Sequence, residues 1–357
     1  VRGQVMDQVM DSDNEQCYVN RQNSNILFKM KNFFSFLWSI MFILGPATVL
    51  LIAFRNSLTW HLQNFWGASA DFWQSQWQNV LDGAESLFGK EHFEFRLLVF
   101  GSVIFSLIVY WGVGSIYMFL DITNKPAFLR KYKIQPGTNE PVDLRKLKKV
   151  AGHVLFNQIC VGLPVNFAFY YLMQWRGGIK WGRELPNFET VVFQLIGCIL
   201  VEEIGFYYAH RMFHHPTIYK HIHKLHHEWT APIAITAVYC HPLEQTVANL
   251  MPVIAGIFIF NLHVATSWLW IAIVIMSTLN AHSGYHFPFF PSPEAHDFHH
   301  LKFNQCFGVL GVLDLLHGTD VGFRESVQGT RHLMHLSLVP LSEAYPKGKG
   351  KTDSKQC

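Results

Sequence analysis

The runs HRMFH (His210–His214), HKLHH (His223–His227) and HDFHH (His296–His300) decide how the rest of this sequence is read. Fourteen of the twenty histidines fall between residues 210 and 300, so even scatter does not explain them. An α-helix brings positions i, i+3 and i+4 onto one face. His210 and His214 are therefore expected to point together, as are His223, His226 and His227, and again His296, His299 and His300. Eight imidazoles on three helical faces exceed what one tetrahedral ion takes, so the pattern predicts two metal ions. A single HxxxH is weak, because exposed helices often carry two histidines four apart. Two HxxHH runs and an HxxxH in one chain are far more specific than satisfied or solvated histidines require.

Outward from these runs the chain reads as an all-α integral membrane protein. Half of its 357 residues are hydrophobic and only 15% are charged, against a usual quarter. A net charge of +3 gives no case for nucleic acid. Six scattered cysteines without a CxxC argue for free thiols, not a disulfide framework. Val1 in place of Met is consistent with a fragment or a processed form. Residues 1–31 are polar and lack an apolar period, which predicts disorder and no signal peptide. Residues 32–120 are expected to hold the first two membrane helices, Phe33–Phe54 and Leu97–Leu120. Between them, residues 55–96 read as an aromatic loop whose Trp60, Trp66, Trp73 and Trp77 suit a membrane interface.

Residues 121–150 carry Lys125, Arg130, Lys131, Lys133, Arg145, Lys146, Lys148 and Lys149 against three acids, and the positive-inside rule places them in the cytosol. Ala151–Trp175 and Phe188–Ala209 then form an in-and-out pair, although Arg176, Lys180 and Arg183 in their link weigh mildly against it. Val247–Asn280, broken near Asn261-Leu262-His263, is a short or re-entrant hairpin. That makes about four transmembrane helices plus the hairpin, with all three histidine runs in a cap on the cytosolic side. Residues 321–357 read as a polar, basic tail without a KDEL-type or CaaX signal.

The order HxxxH, HxxHH, HxxHH between membrane spans resembles the fatty acid hydroxylase/sterol desaturase superfamily of membrane di-iron enzymes. The resemblance covers roughly residues 125–320, the expected catalytic domain. The runs HHEWTAPIAITAVYCHPLE (His226–Glu244) and AHSGYHFP (Ala281–Pro288) are similar to its C4-methyl sterol oxidase branch. It implies two iron ions, O₂ as oxidant, and electrons from NAD(P)H through a reductase and cytochrome b5. It also implies a lipid substrate, foremost a 4-methyl sterol, and the endoplasmic reticulum membrane. Imidazole suits iron and zinc alike, and the Irving–Williams order lets zinc replace iron in isolated protein. His282 and His286 form another HxxxH and are candidate ninth and tenth ligands. The sterol branch keeps the first and usually carries an acid at the second, so His286 is a departure.

Two ions held by neutral ligands should draw in carboxylates. Glu203, seven residues before His210 on the same helical face, is the first candidate. Glu202, Glu228, Glu244 and Asp297 follow, with simple exposed acids an equal reading for Glu228 and Asp297. His215 and His221 read as surface or headgroup contacts, His241 as a family-like position that supports a ligand from behind or is structural, and His263 and His317 as structural. The chain contains no GxGxxG fingerprint and no haem-type HPGG, so its electrons must come from outside. A fatty-acyl or sphingolipid hydroxylase, or a sterol desaturase, could use the same site. A metal transporter would need ligands near the bilayer midplane, and a non-catalytic scaffold would not need the intact histidine set.

Overall fold

A computed structural model describes residues 55–345 continuously, with a few isolated positions before them. The expectations for residues 1–31, for most of the Phe33–Phe54 span and for the PKGKGK tail fall outside the described residues. Two compact units make up the chain, Val1–Trp73 and Gln74–Cys357, and the histidine runs all belong to the second. The described residues are helical, with no β-strand among them. Helix α1 (Arg55–Phe88) replaces the loop expected over residues 55–96. It contains no proline, and Trp77 and Leu81, four apart and buried, give it a packed face from Gln74 onward.

Five helices among the described residues are long and apolar enough to span a bilayer. They are α2 (Phe93–Thr123), α3 (Leu144–Trp175), α4 (Phe188–Phe213), α5 (Pro242–Phe260) and α6 (Val264–Ala281). Each of the last four starts at a side-chain cap that satisfies otherwise orphaned backbone N–H groups. Asp143 accepts from Arg145 and Lys146, Asn187 from Thr190, His241 from Leu243, and His263 from Ala265. Asn124 and Asn261 end α2 and α5 in the left-handed conformation that asparagine tolerates. The break predicted at Asn261–His263 is thus a hairpin turn between two full-length helices.

Lipid is as apolar as leucine, so membrane helices associate through close packing at small residues. Gly256 of α5 lies against Cys198 of α4, where an added Cβ would meet Sγ at 2.8 Å and Cα at 3.0 Å. Away from the histidines, the α3–α4 link is stitched to the hairpin turn. Val264 N–H donates to Lys180 O, and His263 Nε2 and Trp77 Nε1 both donate to Gly182 O. His263 is therefore structural, as read from the sequence. The other end holds the histidines, because α4 delivers His210, α6 leads into His282, and the turn before α5 follows the HKLHH run.

Residues 321–345, expected to be a solvated tail, keep much of their surface exposed but are tied down at two points. Phe323 is buried against Phe298 at 5.3 Å, and Arg331 is buried with its guanidinium on Tyr345 O. Their polar composition concealed two anchors that only tertiary contacts reveal.

Candidate metal centre

Nine histidines converge in two adjacent groups. His210, His214, His223, His227 and His299 form the first, and His226, His282, His296 and His300 the second. Within each group, ligand-capable nitrogens lie within 4.8 Å of one another. The three runs contribute unequally. His210 and His214 both enter the first group, HKLHH splits two to one, and HDFHH, on α7 (Glu294–Lys302), splits one to two.

That split corrects the expectation that each HxxHH trio shares one face. His223–Glu228 is a six-residue 3₁₀ helix, whose tighter winding stacks residues three apart. His223 and His226 accordingly stand with rings 29° from parallel, facing neighbouring centres. Adjacent residues diverge by about 100–120° around either helix type. The ring planes of His226 and His227 cross at 79°, and those of His299 and His300 at 89°. Each HH pair therefore serves both groups.

The hydrogen bonds fix which nitrogen faces inward. A backbone carbonyl only accepts, so the nitrogen beside it must carry the proton. His210 Nδ1 donates to Phe307 O at 2.8 Å, His299 Nδ1 to Gln305 O at 2.7 Å and His300 Nδ1 to Trp229 O at 3.0 Å. His226 Nδ1 faces Tyr239 O at 3.4 Å, and His282 Nδ1 donates to Thr278 O at 2.8 Å. In all five the Nε2 lone pair is left for the interior. His226 and His282 then oppose two lone pairs across 3.3 Å, with no proton between them. Burial, reinforced by neighbouring imidazoles, holds the rings at positions 214, 223, 226, 227, 296, 299 and 300 well below the usual range. His282 is lowered to about 4, again chiefly by burial. These rings are neutral at physiological pH.

Facing lone pairs inside a dry site repel unless a cation lies between them. Other Nε2 pairs are 2.8 Å (His214–His223), 3.0 Å (His223–His227) and 2.8 Å (His282–His296) apart. Imidazole nitrogens about 2.0–2.1 Å from one ion stand roughly 2.9–3.4 Å apart along the edge of its coordination shell. The donor set, its protonation and its spacing all fit a pair of transition-metal ions.

The carboxylates sort differently from the sequence-based order. Glu244 approaches the histidine groups most directly, with Oε1 2.8 Å from His223 Nδ1. Glu203 is buried on the His210 face as predicted, but it holds backbone and touches no histidine. Its Oε2 accepts from Val309 and Leu310 N–H at 3.0 and 2.7 Å, and its Oε1 from Leu313 N–H at 3.2 Å. Asp314, missed in the sequence, accepts from Phe307 and Gly308 N–H in the same loop. These two acids set the carbonyl of Phe307 on which His210 rests. Asp297 turns from the histidines to Gln135 Nε2 at 3.0 Å, and burial pushes its carboxyl up to about 7. Glu228 accepts from Tyr239 OH at 3.0 Å.

His286 joins neither group, so the tenth predicted ligand is withdrawn from the set. Its Nε2 donates to Leu333 O at 3.0 Å and its Nδ1 faces Glu294 Oε1 at 3.4 Å. Both nitrogens are engaged by partners that spacing alone could not reveal. His241 caps α5, His215 pairs with Thr217, and His317 stacks on Tyr207.

The family described as fatty acid hydroxylase matches residues 195–319, which hold every histidine of both groups. The chain is 47% identical to human fatty acid hydroxylase domain-containing protein 2 over 306 residues, covering 85% of this chain and 90% of that protein. It is 36% identical to fatty acid hydroxylase ahd1 of Mycosarcoma maydis, over 62% of this chain and 58% of that one. It is 32% identical to methylsterol monooxygenase 1 of Danio rerio, over 66% of this chain and 82% of that protein. No solved structure matches it. With nine tenths of a relative covered at that identity, the chain belongs to the fatty acid hydroxylase family.

Proposed function

We propose that this protein is an O₂-dependent di-iron monooxygenase that hydroxylates a lipid C–H bond, with a 4-methyl sterol intermediate of sterol biosynthesis as substrate. The observation that carries the metal assignment is the facing pair of deprotonated nitrogens on His226 and His282, which needs a cation between them. Bound iron would supply O₂ activation and attack on an unreactive C–H bond, one oxygen entering the substrate and the other leaving as water with two electrons and two protons. His210, His214, His223, His227 and His299 hold one ion in this reading, and His226, His282, His296 and His300 the other. The Glu244 carboxylate orients His223, and the Phe307, Gln305, Trp229 and Thr278 carbonyls keep inward-facing lone pairs available. These acceptors fix tautomer and ring angle, as partners of metal-bound imidazoles commonly do.

The substrate reaches this centre from the bilayer between apolar helices, and the cap of α7 and the HKLHH turn covers the ions from water. Electrons come from NAD(P)H through cytochrome b5 and its reductase. The exposed cations at the start of α3 support such a partner, because Lys149 Nζ lies 3.7 Å from Glu228. Glu228 accepts from Tyr239, and the Tyr239 carbonyl faces His226. The protein works in the endoplasmic reticulum membrane with the metal centre facing the cytosol. The cation-rich residues 125–149 share the metal end of the bundle, which supports that orientation.

Similarity to methylsterol monooxygenases over more than four fifths of their length favours the sterol substrate. The match to fatty acid hydroxylase ahd1 supports the second reading, an acyl-chain hydroxylase using the same centre. A lipid extract from cells lacking the protein separates them. Accumulated 4-methyl sterols are expected. Loss of hydroxylated acyl chains with normal sterols would shift the assignment to the second reading, and an unchanged lipid profile would sink both.

A further inference from the structure

The loop after α7 carries apolar side chains that the described residues leave partly exposed. Val309, Leu310, Val312, Leu315, Leu316 and Val321 are 43, 53, 55, 39, 67 and 47% exposed. They cluster within thirteen residues that do not span a membrane. Their regular structure is limited to the short helix α8 (Val312–His317) and the start of the four-residue turn of helix Val321–Arg324. A monomeric soluble surface seldom gathers such a patch without purpose.

Two observations point to lipid as its cover. The first is continuity with α4. Ile196, Leu200, Ile204, Tyr208 and Met212, each four residues on from the last, form an exposed stripe along this spanning helix. Tyr208 OH lies 3.0 Å from His317 Nε2, so the upper end of the lipid-facing stripe adjoins the loop. The second is the state of the backbone. Glu203 and Asp314 accept the N–H groups of residues 307, 308, 309, 310 and 313. Irregular backbone enters an apolar medium only when its polar groups are satisfied within the protein. This loop meets that condition for those donors with two buried carboxylates, an expensive arrangement for one bathed in water.

We infer that Val309–Val321 is a membrane-inserted loop, seated at the boundary of headgroups and acyl chains in the leaflet nearest the histidines. The same loop presents Phe307 O to His210, while the adjoining Gln305 O receives His299. Its seating in lipid therefore bears on two imidazoles of the first group. The inference rests on α4 spanning the bilayer, not on which metal or substrate the centre takes.

The test is depth measurement by spin labelling of the full chain in phosphatidylcholine nanodiscs. Leu310→Cys and Leu316→Cys are labelled separately, with Glu325→Cys as a control, in a background with Cys17, Cys160 and Cys357 changed to serine. Two positions are read so that misfolding of one variant leaves the other standing. Labels at 310 and 316 should lie about 5–10 Å below the phosphates, more accessible to O₂ than to a water-soluble nickel chelate. The label at 325 should show the reverse. Free access of the chelate to both loop labels would overturn the inference. Exclusion of both O₂ and chelate would overturn it too, indicating cover by protein, either a second copy or the chain's own first 54 residues. Neither result depends on turnover or metal content, so failure here would leave the proposed function intact.

Discussion

The two histidine groups are cut from the same three runs and yet are supported differently. The first has five imidazoles, a carboxylate behind His223, and a loop fastened by Glu203 and Asp314 behind His210. The second has four imidazoles, and the partners behind His226, His282 and His300 are backbone carbonyls. A carboxylate makes the imidazole it contacts a stronger electron donor, whereas a carbonyl mainly fixes its angle. The two groups are therefore chemically distinct, with different numbers of imidazoles and different support.

Removing one imidazole from either group is the harshest way to break this comparison. Loss of an outer partner alone typically costs 10–100-fold, so His214→Ala and His300→Ala should each lower turnover by more than about 100-fold. Rates of lipid product formation with a supplied electron donor would check this. Equal rates in wild type and either variant would remove that group from the reaction. Next in size is Glu203→Ala, which strands three backbone N–H groups and should cost about 3 kcal/mol of stability. Thermal unfolding in nanodiscs measures it, and a shift near zero would mean the loop is held by something else.

Glu244→Gln sharpens the asymmetry. It keeps the shape and replaces the carboxyl behind His223 with an amide, so one of two metal equivalents should weaken by about 10–100-fold while the other is unchanged. Competitive chelator titration would resolve the two; equal weakening of both would erase the distinction. Acid supplies a smaller, graded test on metal-free protein. Rings whose folded pKa is depressed bind protons more readily once unfolded, so their stability contribution is lost as pH falls below about 6.5. For His282 the loss should run from about 6.5 towards about 4, at roughly 1.4 kcal/mol per pH unit. His282→Gln should flatten the stability–pH curve by one proton, and an unchanged slope would contradict its buried neutral state. The smallest effect on metal is expected from His286→Ala, which should lose stability but keep the full metal content.

The spans were legible because a membrane helix declares itself by length and apolarity, and α2 to α6 follow those runs. The histidines were legible as ligand candidates because spacing on a helix is a local property. What escaped is whatever depends on winding or on distant partners. The spacing in HKLHH suits α-helical geometry equally well, and only the 3₁₀ turn shows how neighbouring histidines divide between two groups. His286 looked like a ligand because nothing local reveals Leu333 and Glu294 beside it. Glu203 lay on the predicted face, yet its carboxylate was claimed by a loop more than a hundred residues later. Asp314 gave no signal at all, since an acid becomes informative only when the backbone it holds is known. Helix α1 was hidden by aromatic residues that suit a membrane interface equally well.

Metal content per chain tests the central claim most directly. Full-length protein in nanodiscs, purified without added zinc and analysed by mass spectrometry, should hold two transition-metal ions per chain. His214→Ala and His300→Ala should each retain about one. A wild-type chain holding one ion or none, or variants holding as much metal as wild type, would contradict the two-centre account.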